Sequence, residues 1–314
     1  MPSRASKHVT DHYGIPVVPR VPFLDVDVDV DKPMFLDPHA IRLARSPQPF
    51  AAGAVHCMET FFREVARCVI SQRPTDQARG LDLLQHFEEP WETRLGLAAA
   101  GFQGHGGAKD VGAGIYQSLR DDINVLVRVG ILTQLEDIPL FVEGVGTDIT
   151  SDLTTRIVFE PLARFTADVV AQYPQFTTAP HTTRKVTRQV WDPAGLQWTT
   201  AQVELPVVNG KELLLVPRDW ARHGLLMNAG RFYETSVLDH VQTERAVRGA
   251  NGRWIKPSKE DLQKDKGLAR GRATILEVVL RAYDGQVNVL NDFKTFVDGK
   301  WEQLDDDLVQ RKLS

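Results

Sequence analysis

The stretch Glu143-Gly-Val-Gly-Thr-Asp148-Ile-Thr-Ser-Asp152-Leu-Thr-Thr-Arg156 concentrates glycines, carboxylates and helix-starting residues. Its two glycines allow backbone angles that other residues avoid. Thr147, Asp148 and Ser151 are residue types that commonly cap a helix. Apolar side chains follow at helical spacing as far as residue 172. The sequence therefore predicts a sharp loop that opens a long helix, with a kink near Pro161.

Asp148, Asp152 and Arg156 are spaced four residues apart and share one face of this helix. Two carboxylates near the positive end of a helix can hold Mg²⁺ and activate water for phosphodiester cleavage. In this hypothesis Asp148 and Asp152 are catalytic residues and metal ligands, with Glu143 as a third ligand or base. The alternative is structural, because one aspartate can cap the helix while the other pairs with Arg156. Both interpretations stay open at this point.

Composition bounds the class of protein. The chain has 314 residues, 42% of them hydrophobic, and a formal net charge of −4. This hydrophobic content supports a real core, and the net charge gives no general attraction to nucleic acid, so any such contact requires a local patch. No signal peptide or membrane-spanning run is apparent. Cys57 and Cys68 are interpreted as buried thiols in a reducing compartment, so we expect a cytoplasmic protein. Since no membrane-spanning run is apparent, we expect no membrane contact.

The pattern along the chain predicts an α+β fold, predominantly α-helical with a small antiparallel β-sheet. We expect an N-terminal arm over residues 1–22, a helical body with an acidic strand over 23–175, and an antiparallel sheet followed by a basic helical region over 176–314. Helices are predicted near 49–72, 75–87, 231–248, 258–266 and 270–283, with another starting at 217–220. The turns Asp192-Pro-Ala-Gly195 and Asn209-Gly210 predict two hairpins.

The segment Phe23-Leu-Asp25-Val-Asp27-Val-Asp29-Val-Asp31 alternates apolar and acidic residues. Such alternation predicts a strand with four aspartates on one face. A row of like charges is either solvated, which protects an edge strand from pairing with another chain, or neutralised by a divalent cation or a basic partner.

The segment Gly101-Phe-Gln-Gly104-His-Gly106-Gly107-Ala-Lys109 opens a helix that is predicted to reach about residue 129. A glycine-rich loop before a helix can bind a phosphate through its backbone N–H groups, with Lys109 as an added charge. The spacing does not match a P-loop. The alternative is a tight turn that lets two helices pack closely through Gly112 and Gly114.

Basic residues cluster between residues 248 and 272, and Trp254 lies among them. Cations interleaved with an aromatic side chain are compatible with contact to a nucleic-acid backbone. A solvated helical surface is the alternative. The candidate nucleic-acid-binding residues of the whole chain are Lys109, Arg184, Lys185, Arg188, Arg218, Arg253, Trp254, Lys256, Lys259 and Lys264.

The chain resembles a family of bacterial proteins whose longer members look like restriction or phage-defence proteins. The resemblance rests on residues 25–38, the glycine loop before the helix that contains Ile115, residues 143–155 and, more weakly, residues 209–219. Longer relatives continue into a restriction-endonuclease-like module, in which an aspartate and a Glu-x-Lys strand bind the catalytic metal. This chain shows no such module, and its nearest substitute, Asp298-Gly-Lys300, looks like a turn.

The resemblance implies the recognition or regulatory component of a prokaryotic anti-phage defence system. Such a component binds nucleic acid or an effector nuclease, helicase or ATPase subunit, and it can form an oligomer. Two alternatives remain from the residues themselves. One is a metal-dependent nuclease that uses Asp148 and Asp152 with Mg²⁺, and the other is a structural subunit of a larger assembly.

Overall fold

The computed structural model describes residues 7–18, 20–31, 33–96 and 108–303. Of these described residues, 53% are helical and 13% lie in strands, which confirms the predicted α+β, predominantly helical class. The helices in these ranges are α1 (Val9–Tyr13), α2 (Pro38–Ala44), α3 (Phe50–Ile70), α4 (Pro74–Leu83), α5 (Ala108–Gln117), α6 (Asn124–Arg128), α7 (Ile138–Phe141), α8 (Thr147–Ile157), α9 (Phe159–Gln172), α10 (Ala229–Phe232), α11 (Leu238–Glu244), α12 (Lys259–Gln263), α13 (Arg272–Asp284) and α14 (Val289–Asp298). The strands are β1 (Phe35–Leu36), β2 (Thr183–Asp192), β3 (Gln197–Val208), β4 (Lys211–Glu212), β5 (Ala221–Arg222), β6 (Val247–Arg248) and β7 (Trp254–Ile255).

The helix that was predicted to follow residues 143–146 is present but is divided into α8 and α9. The backbone leaves helical geometry at Val158, with φ −97° and ψ 17°. Pro161 follows in the first turn of α9, where its missing N–H leaves no hydrogen bond broken. The N-cap of α8 is Gly146, and no side chain caps this end. The expectation that Asp148 or a neighbouring hydroxyl caps the helix is therefore wrong.

The hydroxyl groups of α8 serve other purposes. Thr150 and Thr154 donate hydrogen bonds to the backbone carbonyls four residues earlier, at 2.8 and 2.6 Å. Ser151 is buried, and its Oγ accepts a 2.9 Å hydrogen bond from the backbone N–H of Leu36 in β1. These bonds satisfy buried polar groups and fix α8 against the N-terminal part of the chain.

The core is built around α3, which is buried along one face. Phe61 of α3 meets the rings of Trp191 and Trp198 from the sheet, with ring centroids 5.1 and 5.8 Å apart. The indole N–H of Trp191 donates to Thr60 Oγ1 at 3.0 Å. One hydrophobic cluster includes residues from α1 through α14 and therefore lies on both sides of position 176.

The two predicted hairpins are confirmed. Strands β2 and β3 pair antiparallel from Thr183 opposite Pro206 to Asp192 opposite Gln197, and β4 joins the other edge of β3. Asn209 and Gly210 both have positive φ, 52° and 77°, as a two-residue type I′ turn requires. The sheet order is therefore β2-β3-β4.

The acidic segment is extended but is not a strand. Its ladder contacts among the described residues are two isolated bridges, one between His8 and Asp27 and one between Phe23 and Pro217. Leu24, Val26 and Val28 are buried, whereas Val30 is exposed. The expectation of a regular strand is wrong because no neighbouring segment continues the pairing.

Three aspartates of this segment accept hydrogen bonds, each from a different neighbouring residue. Asp25 accepts hydrogen bonds from the backbone N–H and hydroxyl of Thr10, at 2.9 and 2.6 Å. Asp27 is buried, and its Oδ1 accepts the backbone N–H of Asp29 at 2.8 Å. Asp29 in turn accepts from the side-chain amide of Asn209 at 2.5 Å. The carboxylates are thus tied into loop structure and do not form a continuous charged face.

The glycines of α5 have different roles. A Cβ on Gly112 would lie 1.6 Å from the carbonyl oxygen of Leu84, so the end of α4 approaches α5 closely at this residue. Nothing lies within 4 Å of the corresponding position on Gly114. Close helix packing is therefore confirmed for Gly112 and wrong for Gly114.

The C-terminal region differs from expectation in several elements. The predicted helix at 231–248 is interrupted by a π turn, Tyr233–Val237, and ends at residue 244. A short hairpin, β6–β7, was not predicted, and Arg218–Trp220 is only a 3-10 turn before β5. Asp298 ends α14, a helix that the sequence analysis missed.

Both cysteines are buried free thiols, as expected. Across the described ranges, no helix combines the length and apolar character needed to cross a membrane.

Candidate functional site: a carboxylate pair and a basic hairpin

Asp148 and Asp152 lie one turn apart on α8, and both are half-buried. A Cβ built on Gly96 would lie 3.5 Å from Asp148 Oδ1. This is an ordinary van der Waals distance, so the carboxylate lies beside Gly96 without a steric conflict. Helical periodicity alone accounts for the two aspartates being neighbours.

Asp152 has an unusual protonation equilibrium. Burial raises its pKa to about 8, and the negative charges of Asp148 and Glu89 add to the effect, while Arg156 opposes it. A carboxyl group in this environment keeps its proton near neutral pH. It can then donate a hydrogen bond or a proton, which is typical of functional sites.

The predicted ion pair between Asp152 and Arg156 is wrong. The guanidinium of Arg156 donates to the backbone carbonyls of Glu88 and Glu89, at 2.7 Å each, and its Nη2 lies 3.4 Å from Glu92 Oε2. Arg156 therefore fastens the 88–92 segment to α8. Since Asp148 does not cap the helix either, neither of the two structural roles expected for these aspartates is present.

Glu143 does not join the pair. Its side chain is exposed, and it acts electrostatically on Arg272, whereas it is not among the charges that shift Asp152. Within the described ranges, no group of three or more histidine, cysteine or carboxylate side chains is arranged to hold a metal ion. A Mg²⁺ site at Asp148 and Asp152 would therefore depend on these two carboxylates and on oxygen atoms from other sources.

The glycine-rich loop, residues 101–107, lies outside the described residues. Lys109 follows it in the first turn of α5 and is exposed.

The candidate phosphate-binding cations of the sheet differ in whether a carboxylate already pairs with them. Arg184 pairs with Glu212 at 2.8 Å, and Arg188 pairs with Glu92 at 2.9 Å and with Glu212 at 3.5 Å. Lys185 is exposed on the same strand. The two arginines thus neutralise buried carboxylates, which leaves them less charge to offer a phosphate.

Arg218 lies at a small pocket of about 300 Å³ that is also lined by Arg20 and Asp219. Burial and the charge of Arg20 lower the pKa of its guanidinium, while Asp219 opposes this change.

Part of the basic C-terminal segment is neutralised internally. Lys259 pairs with Asp239 at 2.6 Å, and Lys264 pairs with Asp261 at 2.8 Å. These two lysines therefore add little net charge to the surface.

The hairpin segment, which we define as residues 246–256, is different. Trp254 is 64% exposed, and the guanidinium carbon of Arg248 lies 5.4 Å from the centre of its ring, within cation–π range. Arg253 and Lys256 are also exposed, and Lys256 Nζ donates to Thr243 Oγ1 at 3.0 Å. None of these three cations forms an ion pair with a described residue. The segment presents a platform of aromatic and positively charged groups.

The sequence of this hairpin contains a turn motif that was not used in the prediction. Asn251-Gly252 is the same dipeptide that marks the turn at residues 209–210, and Gly252 has a positive φ of 74°. Val247 pairs with Ile255 across the two strands, and both side chains are more than half exposed. The hairpin thus offers apolar surface on one face and the Arg248–Trp254 pair on the other.

A family model described as a domain of unknown function, DUF8370, matches residues 14–228. The chain belongs to the DUF8370 family. Searches of curated proteins and of solved structures found no match. The DUF8370 region contains the Asp148–Asp152 pair, and the hairpin segment follows it. Because the family description assigns no activity, the role in defence stays a prediction.

A buried polar network joins the DUF8370 region to the C-terminal α14. His39 Nε2 lies 2.8 Å from Asp298 Oδ1, and Lys294 Nζ lies 2.7 Å from Asp137 Oδ1. Glu136 is fully buried, and although burial opposes its ionisation, the hydrogen bond from His39 and the charge of Arg42 lower its pKa to about 2. This network holds α14 against α2. Sequence spacing gave no signal for it, because its members are up to 259 positions apart.

Proposed function

We propose that this DUF8370 protein is the recognition component of a prokaryotic anti-phage defence system and that it binds nucleic acid through the hairpin segment. The observation that supports this best is the exposed Trp254, which contacts Arg248 and shares its short hairpin with two further cations, all three without carboxylate partners among the described residues. In this role the strand-cleaving or ATP-driven chemistry belongs to an effector nuclease, helicase or ATPase subunit.

Positive charge and aromatic stacking both support binding at the hairpin segment. Arg248, Arg253 and Lys256 provide a local positive charge on a chain whose net charge is −4. Phosphates that bind there release counterions, which makes affinity depend on salt. Trp254 offers its ring to a base, and such stacking contributes about 1–3 kcal/mol per base without requiring a particular sequence. Together these features favour strands with unpaired bases over an intact duplex.

The test is fluorescence anisotropy with labelled single-stranded and duplex oligonucleotides, both DNA and RNA, over a series of salt concentrations. Trp254→Ala should weaken single-strand binding about fivefold or more. The combined variant Arg248→Gln, Arg253→Gln, Lys256→Gln should reduce the slope of log affinity against log salt by about 2.

The matched control is Lys264→Gln, which removes a cation of the basic C-terminal region that lies outside the hairpin segment and is already paired with Asp261. Its affinity should stay within about twofold of wild type, as expected for an exposed, neutralised pair. Equal losses in the control and in the triple variant would show that general charge, and not the hairpin, accounts for binding. Absence of binding to every strand at low salt would refute the proposal.

A second candidate function, a metal-dependent nuclease, is favoured by the Asp148–Asp152 pair. The supporting observation is that Asp148 is close enough to Asp152 to raise its pKa, and a divalent cation would relieve the repulsion between two such charges. The test is plasmid and single-strand nicking with Mg²⁺ by wild type, by Asp148→Ala plus Asp152→Ala, and by the control Glu143→Gln. Nicking that persists in the double variant would exclude the pair as the catalytic centre.

A further inference from the structure

A groove of about 780 Å³ lies beside the hairpin segment, between α11 with its preceding π turn and α14. This volume is in the range of small-molecule sites, roughly 300–1,000 Å³. The π turn is notable because such interruptions of a helix frequently occur at functional sites. Thr243 lines the groove and also accepts the hydrogen bond from Lys256, so the groove and the hairpin are contiguous.

One side of the groove is apolar. Val287, Val289 and Phe296 line it, and the ring of Phe296 is half-buried. Lys300 Nζ lies 4.4 Å from the centre of that ring, and the Lys300 side chain is exposed. A flexible lysine over an aromatic face can move aside for a flat ring while keeping its charge at the edge of the groove.

The polar lining places acceptors in the groove and cations beside them. The carboxylates are Asp239, Glu244 and Asp292. Glu244 is held by both nitrogens of the Arg281 fork, at 3.0 Å each, and its Oε1 lies 3.2 Å from His240 Nε2. This arrangement fixes the direction in which Glu244 and His240 point.

The remaining charges are less constrained. Asp292 is exposed and forms no ion pair with a described residue, and Lys300 is exposed as well, whereas Lys259 is already paired with Asp239 at 2.6 Å. A purely apolar ligand would leave these groups desolvated and unpaired, which is costly. An anion alone would meet three carboxylates.

We propose that this groove binds a nucleotide, with its base against Phe296 and its phosphate near Lys300. Carboxylates such as Asp292 accept hydrogen bonds from the amino groups of bases, and the phosphate is paired with the ammonium group of Lys300. The same chemistry is supplied by a free nucleotide or by an unpaired residue of a strand. The strand form rests on the proposed function, because it requires the hairpin segment to bind that strand.

The experiment is calorimetric titration of the full chain with AMP, CMP, GMP and UMP, together with anisotropy measurements on a single-stranded dodecamer. Two variants alter the groove: Asp292→Asn removes one exposed acceptor charge, and Phe296→Leu removes the aromatic face while keeping an apolar side chain. The control is Asp284→Asn, which makes the same chemical change at an exposed position on α13, away from the groove. Thermal unfolding establishes that each variant is folded, and Asp292→Asn keeps the test valid if Phe296→Leu is not.

We expect at least one mononucleotide or the dodecamer to bind saturably and to lose about fivefold or more in affinity in both groove variants, but not in the control. If the groove variants lose affinity for mononucleotides and wild type binds no strand, the groove binds a free nucleotide and the hairpin proposal is refuted. If the groove variants lose affinity for the dodecamer alone, the ligand of the groove is an unpaired residue of a strand. Strand binding that depends on Trp254 but not on Asp292 or Phe296 refutes the groove and leaves the proposed function standing. Absence of all binding refutes both.

Discussion

Replacing Asp152 by asparagine should stabilise the folded protein, and the gain should grow with pH. The pKa of this carboxyl is raised from 3.8 to about 8 by burial and by its neighbours Asp148 and Glu89. The folded state therefore holds the proton more tightly than the unfolded state does. Its contribution to stability is fully present below pH 3.8 and is lost as the pH rises toward 8.

The magnitude follows from this interval. Each unit of pH between the two pKa values costs about 1.4 kcal/mol in free energy of unfolding. Because Asp152 is only partly shielded from water, we reduce this limit and expect on the order of 2 kcal/mol between pH 5 and pH 8. Asparagine has nearly the same shape and cannot ionise, so this loss should be absent in Asp152→Asn.

The assay is urea denaturation of wild type and Asp152→Asn at pH 5, 6, 7 and 8. The control is Asp284→Asn, an exposed aspartate at the end of α13. The variant should differ little from wild type at pH 5 and exceed it at pH 8, while the control should follow wild type throughout. In Asp148→Asn the pH dependence should weaken, because one repelling charge is gone. A pH-independent difference, or a variant less stable than wild type at pH 8, would refute the protonated carboxyl.

Two further predictions concern packing and the buried network. Gly112→Ala should destabilise the fold by more than about 2 kcal/mol in urea denaturation, because its Cβ would meet the carbonyl of Leu84. The control Gly114→Ala should be neutral or stabilising by up to about 1 kcal/mol. Equal effects of the two substitutions would contradict the close approach of α4 to Gly112. Burial opposes protonation of His39, but Glu136 and Asp298 outweigh this effect and raise the pKa of His39. The contribution of His39 to stability is therefore present below pH 6.5 and is lost as the pH rises through the raised pKa. His39→Gln should flatten this decline, and an unchanged profile would contradict it.

The parts of the fold that could be predicted from sequence depend on local interactions. Asn209 and Gly210 form a turn because their own backbone preferences suit positive φ. Asp37 caps α2 through its own side chain, accepting from the backbone N–H of His39 at 2.9 Å, and Pro38 begins that helix. Such preferences act whatever the rest of the chain does.

The parts that could not be predicted depend on distant residues. Periodicity places Asp152 and Arg156 on one face, but the carbonyls of Glu88 and Glu89 take the guanidinium instead. Alternating apolar residues at 24–28 are buried, yet alternation cannot provide the partner strand that would make the segment a β-strand. The spacing of Asp148 and Asp152 was therefore visible in the sequence, whereas their electrostatic environment was not.

The central claim, that a strand of nucleic acid lies on the hairpin segment, is tested most directly by photocrosslinking. A single-stranded oligonucleotide with 5-bromouracil would be irradiated in complex with the full chain, and the crosslinked peptide would be identified by mass spectrometry. We expect a crosslink within residues 246–256, centred on Trp254 and lost in Trp254→Ala. Crosslinks that map only to residues 184–188 or to Lys109, with none in the hairpin segment, would contradict it.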